Sequence, residues 1–219
     1  MGNSKMYNEF KEWIDKIGTR EGDYYLPYHF LDELNDRERD EVEKIIYEIF
    51  NKNEKGAGYF SKYMRYLKNY DGIAALKQYL KEYTNVSGSR FDVITALYEA
   101  TMDPQYVDMM VGMYKNTRKR SFVAGIKYCT PSEAIFKALA YIYITDGNRT
   151  NRSSAIDGLL HCKGYIKKIP YYGKTNENEM KISRLLYFSD NVEERKILVE
   201  KLESNQQLVE DILVPETLY

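Results

Sequence analysis

The 219-residue sequence is poor in the residues that build metal, disulfide and histidine-dependent catalytic sites. It contains two cysteines, two histidines and one tryptophan. Cys129 and Cys162 lack C-x-x-C spacing, and His29 and His161 lie far apart along the chain. This scarcity predicts free thiols, no metal site and no bound cofactor.

Proline and glycine are also scarce, and no apolar stretch approaches the length of a membrane span. Five prolines and 13 glycines leave little material for long loops or disordered segments. A bilayer-crossing helix needs about 20 consecutive, mainly apolar residues. The N-terminal stretch MGNSKMYNEF has neither the apolar core nor the cleavage site of a leader peptide. We therefore expect a compact cytoplasmic protein with no membrane contact.

Common catalytic motifs are missing as well. The chain has no G-x-S-x-G and no H-E-x-x-H, and its GAG and SGSR stretches lack the Lys-Ser/Thr ending of a phosphate-binding loop. Its many carboxylates are expected on solvated helix faces, not in acid–base pairs. The set on one predicted helix is Glu38, Asp40, Glu41 and Glu43. These features predict a protein that is not an enzyme.

What the chain does have is helical periodicity along almost its whole length. Apolar side chains recur every three to four residues, as on Val42, Ile46 and Phe50, which is typical of amphipathic helices. Alternating strand-like runs are missing. The residues expected to cap helix N-termini are Asp71, Ser89, Asp103 and Thr130. The sequence therefore predicts an all-α fold.

Four predicted helices are centred on small or aliphatic residues at a regular spacing. Leu76, Leu97, Ala138 and Leu159 are separated by 21, 41 and 21 residues, and a helix near residue 118 would complete an even series. One helix pair every 41 residues matches the period of about 40–47 residues in HEAT and armadillo repeats. The spacing predicts a right-handed α-solenoid of stacked antiparallel helix pairs. An irregular helical bundle with chance spacing is the open alternative.

A single domain over residues 1–219 is expected, built from four parts. An N-terminal helix (1–23) precedes a helical-repeat body (24–165), a basic loop with tyrosines (166–179) and acidic capping helices (180–219). A polar end cap is what a solenoid needs for solubility.

Charge is distributed unevenly, although the formal net charge is only −1. Residues 1–55 carry 9 basic and 14 acidic side chains, a net of −5. Residues 56–175 carry 18 and 9, a net of +9, and residues 176–219 carry 5 and 10, a net of −5. A basic middle between acidic ends indicates an acidic partner, either protein or nucleic acid. Scattered, solvated lysines are the alternative explanation.

Tyrosine is the one abundant aromatic residue, with 22 copies, and it suits interfaces because it joins an apolar ring to a hydroxyl. Arg118, Lys119 and Arg120 are consecutive and so cannot share one helix face, which predicts a helix start. The candidate partner-binding residues are Arg118, Lys119, Arg120, Arg149, Arg152, Lys167, Lys168, Tyr171 and Tyr172.

Residues 26–160 resemble small bacterial HEAT-like helical-repeat proteins. The likeness lies in YLPYHFLDELNDRERDEVEKIIYEIF followed by GYFSKYMRYLKNYDGIAALKQYLK, an apolar element, an acidic helix and a helix pair. The chain lacks the turn proline, aspartate and arginine that regular HEAT units carry in register. The resemblance implies a non-catalytic protein-binding function, and some such proteins are immunity proteins that bind and block a cognate toxin. The alternative is a nucleic-acid-binding HEAT-like protein, similar to DNA-repair glycosylases, that uses the basic middle of the chain.

Overall fold

The computed structural model of this chain is helical throughout the part that it describes. That part comprises residues 3–17, 26–52, 54–166 and 177–204. It contains eleven α-helices, one 3₁₀ helix and no β-strand. The all-α prediction is therefore confirmed.

The helices fall into two compact units, Met1–Met102 and Asp103–Tyr219. The prediction of a single domain stays a prediction. The first unit contains α1 (Lys5–Lys16), the 3₁₀ helix Tyr28–Glu33, α2 (Asp36–Lys52), α3 (Glu54–Met64), α4 (Gly72–Glu82) and α5 (Gly88–Thr101).

An aromatic cluster joins α1, the 3₁₀ helix and α3 in the first unit. Trp13 of α1 packs against Tyr63 of α3, with ring centroids 5.8 Å apart, and both side chains are buried. Phe10 stacks on Phe30 at 5.7 Å. The Tyr63 hydroxyl donates a 2.7 Å hydrogen bond to the Leu26 carbonyl oxygen, so the polar end of this buried ring is satisfied.

Helices α2 to α5 pack in chain order. Helix α2 contacts α3 and α4, α3 contacts α4 and α5, and α4 contacts α5. Leu76 of α4 and Leu97 of α5 are fully buried, which confirms that they lie between helices. At the start of α4 a Cβ on Gly72 would come within 2.0 Å of the Met64 carbonyl oxygen, so the close approach of α4 to the end of α3 requires glycine.

The expected solvated acidic face on α2 is wrong for two of its four members. Glu43 is fully buried and accepts a 2.7 Å hydrogen bond from Arg39 Nε. Its other oxygen accepts from the backbone N–H groups of Lys68 and Asn69, at 3.0 and 2.8 Å. Glu38 is 5% exposed and accepts a 2.6 Å bond from the Ser4 backbone N–H. These carboxylates fix loops against α2, which helical periodicity alone does not reveal.

The described part of the second unit holds six helices. They are α6 (Pro104–Thr117), α7 (Arg120–Lys127), α8 (Glu133–Thr145), α9 (Arg149–Cys162), α10 (Glu177–Phe188) and α11 (Val192–Glu203). Because α10 begins at Glu177, the last residues of the predicted 166–179 loop are helical.

Helices α6 to α9 repeat the contact order of α2 to α5: α6 touches α7 and α8, α7 touches α8 and α9, and α8 touches α9. α10 then packs on α9, and α11 packs on α8. Ala138 and Leu159 are buried as expected. The helix that would complete the series near residue 118 is not centred there, because Arg118 adopts a left-handed backbone conformation (φ 53°) that ends α6, and α7 begins at Arg120. The even spacing of the predicted series therefore fails at this point.

Two of the four expected helix caps are confirmed and two are displaced. Asp71 and Asp103 cap α4 and α6 through their side-chain oxygens. Ser87, not Ser89, caps α5. Ser132, not Thr130, caps α8, accepting from the Ile135 backbone N–H. Both errors come from placing the helix start two residues from its true position.

Candidate binding surface

The three consecutive bases lie in the tight connection between α6 and α7. Arg118 ends α6, Lys119 is the residue before α7, and Arg120 is the first residue of α7. All three side chains are exposed. The expectation that they mark a helix start is confirmed, since α7 begins at Arg120 directly after the left-handed turn at Arg118.

A buried carboxylate holds this connection beside the start of α9. The Asp146 carboxylate accepts hydrogen bonds from the Tyr114 hydroxyl of α6 and, at 2.9 Å, from the Asn151 amide of α9. The same Asn151 amide donates to the Arg118 carbonyl oxygen at 3.1 Å. The ends of α6 and α8 and the starts of α7 and α9 therefore meet at one place.

Arg149 joins the three bases because it is the first residue of α9. The Asn148 side chain caps this helix, accepting from the Thr150 and Asn151 backbone N–H groups. Asn151, which touches Arg118, is only two residues beyond Arg149. Arg149 is exposed like the other three.

An exposed aromatic pair borders Arg149. The Arg149 guanidinium lies over the Tyr187 ring, 4.4 Å from its centroid, and 5.6 Å from the Phe188 ring centroid. Phe188 is 59% exposed and Tyr187 is 36% exposed, so both rings offer apolar area to a partner. The basic end is defined here by six residues: Arg118, Lys119, Arg120, Arg149, Tyr187 and Phe188.

Other cations at the basic end are also held over aromatic rings. Arg118 lies 5.3 Å from the Tyr114 ring centroid, and Lys119 lies 5.9 Å from that of Phe122. Cation–π contacts of this kind contribute about 0.5–1 kcal/mol at exposed sites. They restrict the side chains, which reduces the entropy that a partner would otherwise have to remove.

Arg152, another candidate, does not reach this surface. It is 7% exposed, and its guanidinium donates to the carbonyl oxygens of Asp146 and Gly147 at 3.1 and 3.0 Å. It also pairs with the exposed Asp190 at 3.1 Å. We therefore leave it out of the basic end. The remaining candidates, Lys167, Lys168, Tyr171 and Tyr172, lie outside the described residues.

A second cluster of polar side chains, at the crossing of α3 and α5, was not singled out from the sequence. A Cβ on Gly58 would lie 3.1 Å from both Asp92 Oδ2 and Ser89 Oγ, so the missing side chain makes room for these groups. Lys62 follows one turn after Gly58. Gly58 and Lys62 are four residues apart, and Ser89 and Asp92 are three apart, so each pair lies on one helix face. These spacings indicate a shared site only once α3 and α5 are known to be neighbours.

Burial and charge act on both titratable groups of this cluster. Burial lowers the pKa of the Lys62 ammonium to about 7, against an opposing effect of the Asp92 charge. Burial raises the pKa of the Asp92 carboxyl, against an opposing effect of the Lys62 charge. More than a third of the Asp92 surface is nevertheless open to solvent, and because water still reaches the carboxylate we expect the rise to be smaller than in a closed site.

The described part of the chain shows neither a metal-binding cluster nor a membrane-spanning helix. Residues 3–17, 26–52, 54–166 and 177–204 contain no group of three or more His, Cys, Asp or Glu side chains arranged to hold a metal ion. None of the helices described is both long and apolar enough to cross a membrane. Cys129 is buried and Cys162 half-buried, and both are free thiols.

The basic end thus combines exposed cations with an exposed aromatic pair, and the buried Asp146 links the helix ends that carry the cations. No protein-family profile, curated protein or solved structure matches this chain.

Proposed function

We propose that this chain is a non-catalytic protein-binding protein whose basic end contacts an acidic surface of another protein. The observation that carries the proposal is that four exposed cations lie at adjoining helix ends, one of which, Arg149, contacts an exposed aromatic pair. Arginine and tyrosine are the side chains most enriched among residues that dominate binding energy. Complementary charge would speed association and select against basic partners.

The proposal includes a HEAT-like, right-handed solenoid as the scaffold. Its support is the order of contacts within α2–α5 and within α6–α9, where the first two helices of each set touch the next helix and the one after it. Stacked helices of this kind contact mainly their neighbours and present extended binding surfaces.

The specific form of the proposal is an immunity protein that blocks a cognate bacterial toxin. The resemblance of residues 26–160 to small bacterial HEAT-like proteins supports it. The basic end adds a chemical requirement, because the toxin domain would need an acidic patch of matching size.

A nucleic-acid partner is the second candidate, and one observation favours it. Arg149 lies over Tyr187 beside the exposed Phe188, and an exposed ring next to an arginine can stack a base. The two candidates differ in their response to salt. Binding through several phosphates weakens steeply between about 50 and 200 mM salt, whereas a protein complex anchored by desolvated aromatic rings weakens much less.

The test compares capture of partners from the native cell extract by the unaltered protein and by an Arg118→Glu/Arg120→Glu variant. The matched control reverses two exposed bases of the first unit, Lys77→Glu/Lys81→Glu, which changes the net charge equally. We expect a protein captured by the unaltered chain and by the control to be lost with the first variant. Purified partner and labelled single-stranded DNA, titrated over the same salt range, then separate the two candidates.

Two results would count against the proposal. Equal capture of partners by all three proteins would show that the basic end is not part of the interface. Binding of DNA alone, with a steep salt dependence that Arg149→Glu abolishes, would favour the nucleic-acid function. Because the four cations are exposed, we expect each variant to fold like the unaltered protein. Circular dichroism and thermal unfolding must show this before the capture results are compared.

A further inference from the structure

Most of the large apolar side chains that the described part of the second unit exposes lie on α10 and α11. Phe188, the last residue of α10, is 59% exposed, and Val192 and Ile197 of α11 are 44% and 52% exposed. Ile197 lies on the outward side of α11, away from the buried Leu202. These helices therefore carry apolar surface from the basic end toward the end of α11.

The sequence that follows α11 has the composition to cover this surface. Residues 205–219, here called the acidic segment, lie outside the described residues. They read NQQLVEDILVPETLY, with three acidic and no basic side chains. Five uncharged residues come first, and Glu210 and Asp211 are followed by the apolar run at 212–214. Negative charges flanked by apolar side chains complement the cations and rings of the basic end.

The acidic segment starts at the opposite end of α9 from the basic end. The Lys163 ammonium, at the C-terminus of α9, donates a 3.0 Å hydrogen bond to the carbonyl oxygen of Glu203, the last residue of α11. In the first turn of α9, Arg152 pairs at 3.1 Å with Asp190, two residues before α11. The two helices thus run in the same direction, and the start of α11 lies beside the start of α9.

The uncharged stretch of the acidic segment has about the length needed to return along α11. The twelve residues of α11 span about 18 Å at a rise of 1.5 Å per residue. An extended chain covers that distance with about five or six residues. A chain that turns back at Ser204 therefore passes Ile197 with residues 205–209 and brings Glu210 to the start of α11, near Phe188 and Arg149.

The charge of α11 favours this register over others. Glu193, Glu194 and Glu200 are exposed along the helix, and Lys196 already pairs with Glu193 at 2.8 Å. Acidic side chains placed beside α11 would meet like charges, whereas the uncharged residues 205–209 would not. The first free cations that the acidic residues would meet on this path are those of the basic end.

We propose that the acidic segment folds back along α11 and occupies the basic end, with its carboxylates beside Arg149 and its apolar side chains on Phe188 and Ile197. Burial of the exposed apolar surface would supply the attraction, and charge pairing would fix the register. A partner at the basic end would have to displace the segment, which lowers its apparent affinity by the fraction of molecules in the open form. The inference does not rest on the proposed function, because the contact lies within one chain.

The experiment measures hydrogen–deuterium exchange of the full chain by peptide mass spectrometry. Glu210→Gln/Asp211→Asn removes the acidic side of the contact, and Arg118→Gln/Arg149→Gln removes the basic side. In both variants we expect peptides covering 205–219 to exchange at least about threefold faster than in the unaltered protein, since even two exposed ion pairs shift the open fraction by that much. Lys77→Gln/Lys81→Gln, which neutralises two exposed bases of the first unit, is the matched control and should leave the exchange unchanged.

A photoreactive benzoyl-phenylalanine at position 213 of the full chain tests the location directly. We expect it to crosslink within one molecule to the peptide that contains Tyr187 and Phe188. The Glu210→Gln/Asp211→Asn change in the same chain should lower the yield of that crosslink. The variant positions in 1–204 are exposed, and circular dichroism checks that each protein is folded.

Three results would overturn the proposal. Exchange of residues 205–219 in the unaltered protein at the rate of an unprotected peptide would show that the segment is not bound. Equal protection in the unaltered protein and all variants would place its contacts away from the basic end. Protection that is lost on dilution, with crosslinks found only between molecules, would identify a second copy of the chain as the occupant.

Discussion

The side-chain amide of Asn151 donates a hydrogen bond of 3.1 Å to the carbonyl oxygen of Arg118, a residue 33 positions earlier in the chain. The same amide donates to the buried Asp146 carboxylate at 2.9 Å. One side chain at the start of α9 thus fixes the left-handed turn that carries three of the four bases of the basic end.

Replacement of this amide should therefore lower stability and loosen the turn. We expect Asn151→Ala to reduce the free energy of unfolding by about 1–3 kcal/mol, because it leaves a buried carboxylate and a carbonyl oxygen short of a donor. Urea denaturation followed by circular dichroism measures the change. Thr150→Ala, at an exposed neighbouring position, is the control, and an equal loss in both variants would contradict the assigned role.

Glu43 provides a second prediction, in the first unit. Glu43→Ala removes the partner of Arg39 and the acceptor for two loop N–H groups. Breaking a buried ion pair on one side costs about 3–5 kcal/mol, and we expect a loss of that size in urea denaturation. Glu48→Ala, on an exposed part of the same helix where the carboxylate pairs with Lys52, should leave the midpoint unchanged. A tolerated Glu43→Ala would restore the interpretation of a solvated face.

Leu76 tests the packing of α4. The side chain is fully buried, so Leu76→Ala should cost about 2–5 kcal/mol through lost burial and the cavity left behind. The adjacent Lys77 is exposed, and Lys77→Ala should change stability by less than about 0.5 kcal/mol. Similar losses in the two variants would mean that the helix is rotated relative to the described packing.

Lys62 gives a prediction that depends on pH. Burial lowers the pKa of its ammonium to about 7 in the folded protein, against about 10.4 in the unfolded chain. Between these values the unfolded chain binds the proton more tightly, so the destabilisation by Lys62 is complete below the folded pKa and fades as pH rises toward the unfolded one.

Lys62→Met should therefore raise Tm most at pH 6 to 7, and the gain should shrink steadily toward pH 10. The neighbouring Asp92 carboxyl has a raised pKa in the folded protein. Its contribution therefore lowers stability as pH rises above the pKa of that carboxyl in the unfolded chain. Thermal unfolding of Lys62→Met and of the exposed Lys77→Met at several pH values makes the comparison. A gain independent of pH would show that the change is one of packing alone.

Much of the fold follows from local features of the sequence. The apolar spacing around Val42, Ile46 and Phe50 predicts α2, because the side chains of one helical face recur every three to four residues. The caps at Asp71 and Asp103 were identifiable because capping depends on a side chain and the backbone two or three residues later. The errors at Ser89 and Thr130 arose where a second suitable residue, Ser87 or Ser132, stood two positions away.

The candidate site was only partly accessible in the same way. Arg118, Lys119 and Arg120 were recognised because three consecutive residues cannot share one helix face, which predicts a helix start. Arg152 looked like Arg149 in the sequence, yet it is buried and bonded to the loop before α9. Tyr187 and Phe188 gave no signal, because their exposure depends on how α10 packs against α9.

By itself, the sequence determined where helices form and that the protein is all-α, because both depend on contacts within a few residues. Only the tertiary structure decided which charges are buried and which converge. Glu43, Arg152 and Arg195 are charged residues on helices like their exposed neighbours, and only long-range packing removes them from water. The meeting of Arg149 with Tyr187, 38 residues apart in the sequence, has the same origin, since no local pattern records which helix ends will lie side by side.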